Sequence, residues 1–314
     1  MNTNEILNEF AKLITNANRK LLLDTAYSNM FEFSKINCRP DTLDYYAKCY
    51  KVIKEWYYSN NIIYVEDINK NNLNQFINYL KNIKGYKNNT CNKHIEVIKH
   101  ITKYNYDNEL SSANHISNYK KLKRDDVETS IIDGKNIFNI LCYLDSLDMN
   151  NIVILRNVIS IYLMKDTGAR LNEVKHIKIN NIYLEENRIH LDYTKTSKDR
   201  DVFISDKTKT LISKLLSIIN TKKYTYLLSN YITKDMINKS TIYNFLNEIK
   251  SKLNISISIS PHKWRHTLAT YLLKNNVNIK VVQEILGHTS LEITKRYLHI
   301  DNKYKATQVL NVLN

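Results

Sequence analysis

The sequence is poor in the residues that interrupt secondary structure. It contains four glycines and two prolines among 314 residues. Because glycine and proline both weaken helix interiors, their scarcity favours a mostly helical protein with short polar turns. Hydrophobic residues make up 43% of the chain, and no run approaches the ~18 consecutive apolar residues of a membrane span. We therefore expect hydrophobic cores, in roughly two domains, and no association with a membrane.

Cysteine pairs are also missing. No C-x-x-C motif occurs, which argues against a zinc ribbon or a thiol redox motif. The first residues, MNTNE, show no basic stretch followed by an apolar run, so no secretory signal is predicted. Isolated cysteines without such a signal are typical of a reducing compartment, and we expect a cytoplasmic protein. The four cysteines are Cys38, Cys49, Cys91 and Cys142.

Acidic residues are outnumbered by basic ones. The net charge is +15 and the isoelectric point is near 9.4. A surplus of this size suits a polyanionic partner such as DNA or RNA. An AT-rich genome, whose codons favour Lys, Asn and Ile, would give a similar excess, so charge alone leaves both explanations open.

The first 110 residues predict a helical domain, since apolar residues recur at helical spacing. Pro40 marks a helix start, with Asp41 or Thr42 as the expected cap, and Thr90 is expected to cap a later helix. Residues 111–129 are polar and lysine-rich, with no clear apolar face. We predict that they form a basic interdomain linker between a domain at 1–110 and another at 130–314.

Two helical runs open the second domain, and the segment TGAR follows them. Gly168 is suited to end one helix, and Arg170 then lies near the start of the next, where free backbone N–H groups favour an anion. Glu173 lies one turn further and can brace Arg170. An ordinary exposed pair at i,i+3 is the alternative interpretation.

The hydrophobic period changes to two between residues 181 and 205, which predicts a small antiparallel sheet. Residues 195–200 form the tip of a hairpin in this prediction. Residues 255–260 alternate Ile and Ser before Pro261, and they are either an edge strand or an extended lead into a helix.

Pro261 is expected to open a helix that carries His262 and Arg265 on one face. A guanidinium suits a phosphate, because it donates to two oxygens at once. His262 and His266, at i,i+4, could instead bind zinc. The Glu of an H-E-x-x-H motif is absent, however, and we predict no metal site.

A further helix is expected to stop at Gly287, with His288 in the turn and Thr289 or Ser290 capping the next helix. Tyr297 follows in the segment KRYLH. One tyrosine among 23 is normally a packing residue, so Tyr297 on its own carries little information.

The motifs described above, from TGAR to KRYLH, resemble in their kind and order those of the tyrosine site-specific recombinases. This family includes the phage integrases, Cre and the Xer proteins. The resemblance is strong in the second half and looser in the first, where the segments PDTLDYY and TCNKH are similar to a helical core-binding domain. It implies a mainly α fold with a small antiparallel sheet, made of this core-binding domain and an α+β catalytic domain.

The resemblance also implies the chemistry. Tyr297 would attack a scissile phosphate to give a 3′-phosphotyrosine, with His262 helping to deprotonate it. Lys195 at the hairpin tip would protonate the leaving 5′-oxygen, and Lys198 is the alternative residue for that role. Strand exchange would pass through a Holliday junction. Neither a metal nor ATP is required, and no cofactor is expected.

The remaining members of the site would act on the phosphate. Arg170 and Arg265 would stabilise the transition state, and His288 would add a hydrogen bond. Glu173 would hold these groups in place.

The implied partner is double-stranded DNA that carries a specific recombination site. The protein is expected to be a monomer in solution and a homotetramer on DNA. The tail, residues 301–314, could cap its own domain or dock on a neighbouring protomer, and the resemblance favours docking. The basic residues expected to contact DNA are Lys87, Lys93, Lys99, Lys121, Lys123, Arg124, Lys198 and Arg200.

Two alternatives share parts of this pattern. A type IB topoisomerase uses a similar set of cations and a tyrosine, but usually has a lysine at the position of His262. A DNA-binding protein without activity would lack some of the catalytic residues, and here all of them are present.

Overall fold

The computed structural model describes residues 20–123, 125, 131–193, 199–288 and 290. They form two units, residues 20–125 and 131–290, each with its own hydrophobic core. Within these residues no helix combines the length and the apolar character that crossing a membrane requires.

The N-terminal unit is helical, as predicted. Helices α1, α2 and α4 pack against one another, and α3 packs on α4. The core is filled by aliphatic and aromatic side chains that are almost fully buried, such as Ile53, Phe76 and Ile98. The helices are α1 Leu23–Asn37, α2 Pro40–Ser59, α3 Lys70–Asn82 and α4 Asn88–Asp107, and a 3-10 turn spans Val65–Asp67.

Helix α2 begins at Pro40 as predicted, but the predicted caps are wrong. The residue before Pro40 takes the N-cap position, and no side chain caps the helix. Proline already sets the φ of the first helical residue and has no N–H to satisfy, so it starts the helix without a capping side chain. Helix α4 likewise starts earlier than expected, with Lys87 at the N-cap, so that Thr90 lies inside its first turn.

Residues 111–129 were predicted to be a basic interdomain linker with no clear apolar face, and the described part, 111–123, contacts the N-terminal unit. Ile116 is fully buried in the N-terminal core. The Asn92 side chain accepts from the Leu122 N–H at 2.8 Å and donates to the Leu122 carbonyl at 2.9 Å. Together with the packing of Tyr119 and Leu122 on the core and the bond from Lys99 to the Tyr119 carbonyl, these contacts hold the lysine-rich segment on α4.

The C-terminal unit surrounds one central helix, α6. Ten of the sixteen residues of α6 are buried, and it contacts helices on several sides. Its neighbours include α8, α9 and α10. The helices are α5 Gly134–Asp145, α6 Ile152–Thr167, α7 Leu171–Lys175, α8 Asp206–Ile218, α9 Lys239–Lys252, α10 Pro261–Lys274 and α11 Ile279–Leu286, with 3-10 turns at Ile179–Asn181, Leu184–Glu186 and Thr221–Lys223.

The predicted small antiparallel sheet is confirmed. Its three strands, β1 Ile182–Tyr183, β2 Arg188–Leu191 and β3 Arg200–Phe203, lie in the order β1-β2-β3. Leu191 lies opposite Arg200 at the end of the β2–β3 pair from which the hairpin tip extends. Residues 255–260 form no strand, so the extended lead into α10 is the correct alternative.

Candidate active site

Gly168 brings three helices together at the site. It follows the last residue of α6 with a φ of +57°, a left-handed conformation that glycine adopts without strain. A Cβ at this position would lie 2.8 Å from the Leu286 side chain and 3.0 Å from that of Leu268. The missing side chain therefore allows α10 and α11 to approach the end of α6.

Arg170 lies at the N-cap of α7, as the sequence predicts. Its backbone N–H donates to Glu173 Oε2 at 2.7 Å, and its Nη1 donates to Glu173 Oε1 at 2.9 Å. The Arg170 side chain keeps 24% of its surface exposed, whereas that of Glu173 keeps 2%. The arginine is thus held by a buried carboxylate and still reaches solvent.

Three consecutive backbone carbonyls accept hydrogen bonds from three different arginines. We call residues 285–287 the carbonyl turn. The bonds are Arg200 Nε to Ile285 O at 2.7 Å, Arg265 Nη2 to Leu286 O at 2.5 Å, and Arg170 Nη2 to Gly287 O at 3.3 Å. The turn closes α11, where the last carbonyls have no helical partner and carry partial negative charge. Guanidinium groups therefore suit this end of the helix.

Arg265 is the most buried of these arginines, with 4% of the residue exposed. Its Nη1 donates to the Gly168 carbonyl at 2.9 Å, in addition to the bond with the carbonyl turn. The side chain thus connects the segment after α6 to the end of α11. His262, one turn earlier on α10, is exposed.

Glu173 is the buried anion of the site. It accepts from Arg170 and also from Arg200, whose Nη2 lies 2.7 Å from Oε2 and whose Nη1 lies 3.2 Å from Oε1. Burial by itself raises the pKa of this carboxyl, but the hydrogen bonds and charges of the two arginines outweigh burial and lower the pKa. Glu173 is therefore ionised at neutral pH.

His288 follows the carbonyl turn and is 8% exposed. Its backbone N–H donates to the Gln283 carbonyl, and the Gln283 side chain donates to the His288 carbonyl, both at 3.0 Å. Burial, followed by the positive charges of Arg265, Arg170 and Arg200, lowers the pKa of His288 to about 3. The imidazole is therefore neutral at pH 7 and can donate from only one ring nitrogen.

His266, on the same helix as His262, is partly buried. Burial, followed by the charges of His262, Lys263 and Arg265, lowers the pKa of His266 to about 4. Within the described ranges, no three His, Cys, Asp or Glu side chains are grouped so that they could hold a metal ion.

Several predicted residues lie outside the described part of the chain. They are Lys195, Lys198, Tyr297, Arg124 and the tail, residues 301–314. The structure does describe both legs of the hairpin that carries the first two. Tyr193 stacks on His176 with ring centroids 3.5 Å apart, and Arg200 on the other leg binds Glu173. Both legs are thus attached to residues 173–176.

The lysines predicted to contact DNA have different surroundings. Lys87, Lys93 and Lys123 are exposed. Lys99 donates to the Tyr119 carbonyl at 3.0 Å, and Lys121 pairs with a glutamate of α4 at 2.5 Å. Their DNA contacts stay predictions.

Arg200 is the residue whose environment differs most from the sequence expectation. As a DNA contact at a hairpin tip it should face solvent, but its side chain is 9% exposed and bound to Glu173 and Ile285. Strand alternation could have indicated this. Val202 is buried while Asp201 and Phe203 are exposed, so Arg200 lies on the inner face of β3.

Family models cover most of the chain. The model described as the phage integrase family matches residues 131–303, and that of the phage integrase SAM-like domain matches residues 21–121. The first match alone spans more than half of the 314 residues. The chain belongs to the phage integrase family.

Curated relatives agree with this assignment. A tyrosine recombinase of Thermosipho africanus is 34% identical over 151 residues, 48% of this chain and 52% of the relative. The tyrosine recombinase XerA of Saccharolobus solfataricus is 35% identical over 140 residues, 45% and 44% of the two chains. The match thus spans about half the length of these two proteins. A probable integrase/recombinase of Acholeplasma phage L2 is 25% identical over 289 residues, 90% of this chain and 94% of that protein.

Solved structures share the fold of this integrase-family chain. The Tn1549 transposon integrase in complex with transposon right end DNA superposes with a TM-score of 0.75 at 14% identity, covering 94% of this chain and 100% of the other. The recombinase XerH bound to its palindromic substrate gives 0.70 at 20% identity, with 87% and 80% covered. A lambda integrase dimer bound to a core site gives 0.72 at 14% identity, with 92% and 80% covered.

Proposed function

We propose that this protein is a site-specific DNA recombinase that cuts and rejoins DNA through a covalent bond to Tyr297. The observation that carries the proposal is the arrangement of Arg170, Arg265 and His288 around the carbonyl turn. Guanidinium groups held rigidly beside a neutral imidazole suit a phosphodiester that gains negative charge in the transition state.

The proposed reaction has two balanced steps. The Tyr297 oxygen forms a bond to phosphorus and the P–O5′ bond breaks, leaving a 3′-phosphotyrosine. The phenol proton passes to His262, which assists because a free phenol has a pKa of about 10. Lys195, or Lys198 in its place, protonates the leaving 5′-oxygen. Attack by the 5′-hydroxyl of another strand reverses these steps, and two rounds exchange strands through a Holliday junction.

The energy of the broken phosphodiester is kept in the phosphotyrosine, so the reaction needs neither ATP nor a metal ion. Arg170 and Arg265 neutralise the phosphorane-like transition state, and removing either should slow cleavage ~100-fold or more. Glu173 holds Arg170 by the two hydrogen bonds already described.

The proposed partners follow from the same chemistry. We propose that the protein acts on double-stranded DNA as a homotetramer, with the tail of one protomer docked on the next. The net charge of +15 supports binding to a polyanion. The protein is proposed to work in the cytoplasm, on DNA.

Covalent capture tests the proposal. A pool of nicked duplexes with randomised central sequence is incubated with the wild type or Tyr297→Phe in EDTA, and adducts that survive detergent are recovered. We expect adducts with the wild type alone. Adducts with Tyr297→Phe, or a need for a divalent ion, would contradict the mechanism. Adducts that never lead to exchange between two duplexes would favour the type IB topoisomerase.

A further inference from the structure

We propose that Arg200 is a positioning residue, which couples Glu173 on α7 to the carbonyl turn that precedes His288. This inference deepens the proposed function and depends on it only for its catalytic consequence. Arg200 is distant in sequence from the proposed phosphate-binding groups, and its sequence context predicted that it contacts DNA.

The three nitrogen atoms of the Arg200 guanidinium bind two different structural elements. Nη2 and Nη1 donate to the two carboxylate oxygens of Glu173 at 2.7 and 3.2 Å, and Nε donates to the Ile285 carbonyl at 2.7 Å. The planar fork of arginine fits a carboxylate with two bonds, and Nε is then directed to a separate acceptor. Lysine could not reproduce this, since its ammonium is a single point of charge.

The carbonyl turn also packs directly on Arg200. A Cβ built on Gly287 would lie 2.8 Å from Arg200 Nη1 and 3.0 Å from its Cζ. Gly287 has a φ of +63°, so both its conformation and the close approach of the guanidinium require glycine. Arg200 therefore touches the turn at residue 285 and at residue 287.

Burial makes the contact difficult to replace. The side chains of Arg200 and Glu173 are 9% and 2% exposed. Without Arg200, the Ile285 carbonyl loses its arginine partner and Glu173 keeps Arg170 as its remaining partner among the described contacts. A buried carboxylate that loses one of two cations is expected to move or take up solvent, and Arg170 would move with it.

Arg200 also fixes the hairpin relative to the site. It is the first residue of β3 and lies opposite Leu191, the last residue of β2. The bonds to Glu173 therefore hold the point where the hairpin tip rejoins the sheet. One side chain thus sets three distances at once, between α7, the carbonyl turn and the hairpin.

The first arm of the test uses no DNA. Arg200→Gln and Arg200→Lys are compared with the wild type and with Arg188→Gln, whose arginine pairs with Glu186 and Asp201 in the same sheet. We expect the amides of residues 285–288 to exchange with solvent about 10-fold faster or more in both Arg200 variants, and unchanged in Arg188→Gln. Unchanged exchange in the Arg200 variants would overturn the proposal.

The second arm uses captured DNA. At saturating duplex, we expect adduct formation to slow roughly 10- to 100-fold in both Arg200 variants, because small displacements of reacting groups have effects of this size. The dissociation constant should change less than about 2-fold, with the same salt dependence. A phosphate contact would instead weaken binding and lower the salt slope by about one, and that result would refute a positioning role.

The two arms separate the two proposals. If the wild type forms no adduct, the recombinase proposal fails while amide exchange still decides the role of Arg200. Should Arg200→Gln fail to fold, Gly287→Ala displaces the same guanidinium with the arginine present, and we expect the same slow cleavage at unchanged affinity. In the double variant Glu173→Gln/Arg200→Gln, we expect a loss no larger than the larger single loss. Additive losses would contradict the coupling.

Discussion

At the scale of single residues, the described side chains of the site carry more positive than negative charge. The site has three guanidinium groups, those of Arg170, Arg200 and Arg265, and one buried carboxylate, Glu173. Other N–H groups of these arginines donate to backbone carbonyls. A carbonyl takes a hydrogen bond without cancelling the charge. The site therefore retains positive charge, which a dianionic transition state would neutralise.

The neutral histidines of the site predict a pH dependence of stability. His266 and His288 have pKa values of about 4 and about 3 in the folded protein, against ~6.5 in an unfolded chain. Only the unfolded chain takes up these protons between pH 6.5 and 4, so stability is fully present above pH 6.5 and falls as the pH drops. At pH 5 each histidine should lower the free energy of unfolding by about 2 kcal/mol.

Urea unfolding at pH 7.5 and pH 5 measures this loss. The control is the double variant His266→Gln/His288→Gln, which keeps every other histidine. We expect its free energy of unfolding to change with pH by several kcal/mol less than that of the wild type. An identical pH dependence in the two proteins would show that these imidazoles are not held neutral.

At the scale of elements, Asp166 fixes the start of α8 to the end of α6. It is the second-last residue of α6, and its side chain is 7% exposed. Its Oδ2 accepts from the N–H and hydroxyl of Ser205 at 2.9 and 2.7 Å and from the Thr208 hydroxyl at 2.5 Å. Although burial raises the pKa of this carboxyl, its bonds to Lys165 and Thr208 lower the pKa overall.

Asp166→Ala should therefore destabilise the C-terminal unit by about 2–4 kcal/mol, since it removes both bonds to Ser205 and leaves the fully buried Thr208 hydroxyl without this acceptor. Denaturant unfolding in a Trp56→Phe background, followed by Trp264 fluorescence, measures the effect. Asp133→Ala is the matched control, because Asp133 caps α5 from an exposed position and should cost about 1 kcal/mol. Equal losses in the two variants would contradict the buried role of Asp166.

The comparison of elements also shows what the sequence could predict. Helix α6, the sheet and the stops at Gly168 and Gly287 were predictable, because hydrophobic period and chain breakers are local signals. The role of Arg200 was not. Its inner-face position is a local property, but its partner Glu173 is 27 residues away, and spacing alone does not give a distance across the fold.

The helix caps and the contacts of residues 111–123 could not be predicted, for a related reason. Asp41 and Thr90 are good capping residues, yet a proline and an earlier start made them unnecessary. Residues 111–123 look like a free linker in sequence because their partners on α4 are 20 to 30 residues away along the chain. Which single aliphatic residue of such a segment is buried depends on the surface it meets, here that of α4.

At the scale of the whole molecule, the two units have separate cores and each holds one of the two tryptophans, Trp56 and Trp264. We expect them to unfold separately. Leu80→Ala, at a fully buried position of the N-terminal unit, should lower that unit's stability by about 2–5 kcal/mol.

Single-tryptophan variants report each unit. With Trp264→Phe, the fluorescence transition should shift to lower urea on adding Leu80→Ala. With Trp56→Phe, the transition of the other unit should stay in place. Movement of both transitions together would show that the units unfold as one.

The position of the carbonyl turn also limits how far Tyr297 can lie from the arginines. Tyr297 follows His288 by nine residues, and a chain extends at most about 3.6 Å per residue, so chain length limits the distance between their Cα atoms to about 32 Å. Three arginines bind the carbonyl turn, which is therefore the fixed end of the segment that leads to Tyr297. Each residue inserted or deleted between His288 and Tyr297 would change this maximum distance by about 3.5 Å and would leave the arginines in place. In the proposed mechanism, phosphate binding and delivery of the nucleophile can therefore vary independently.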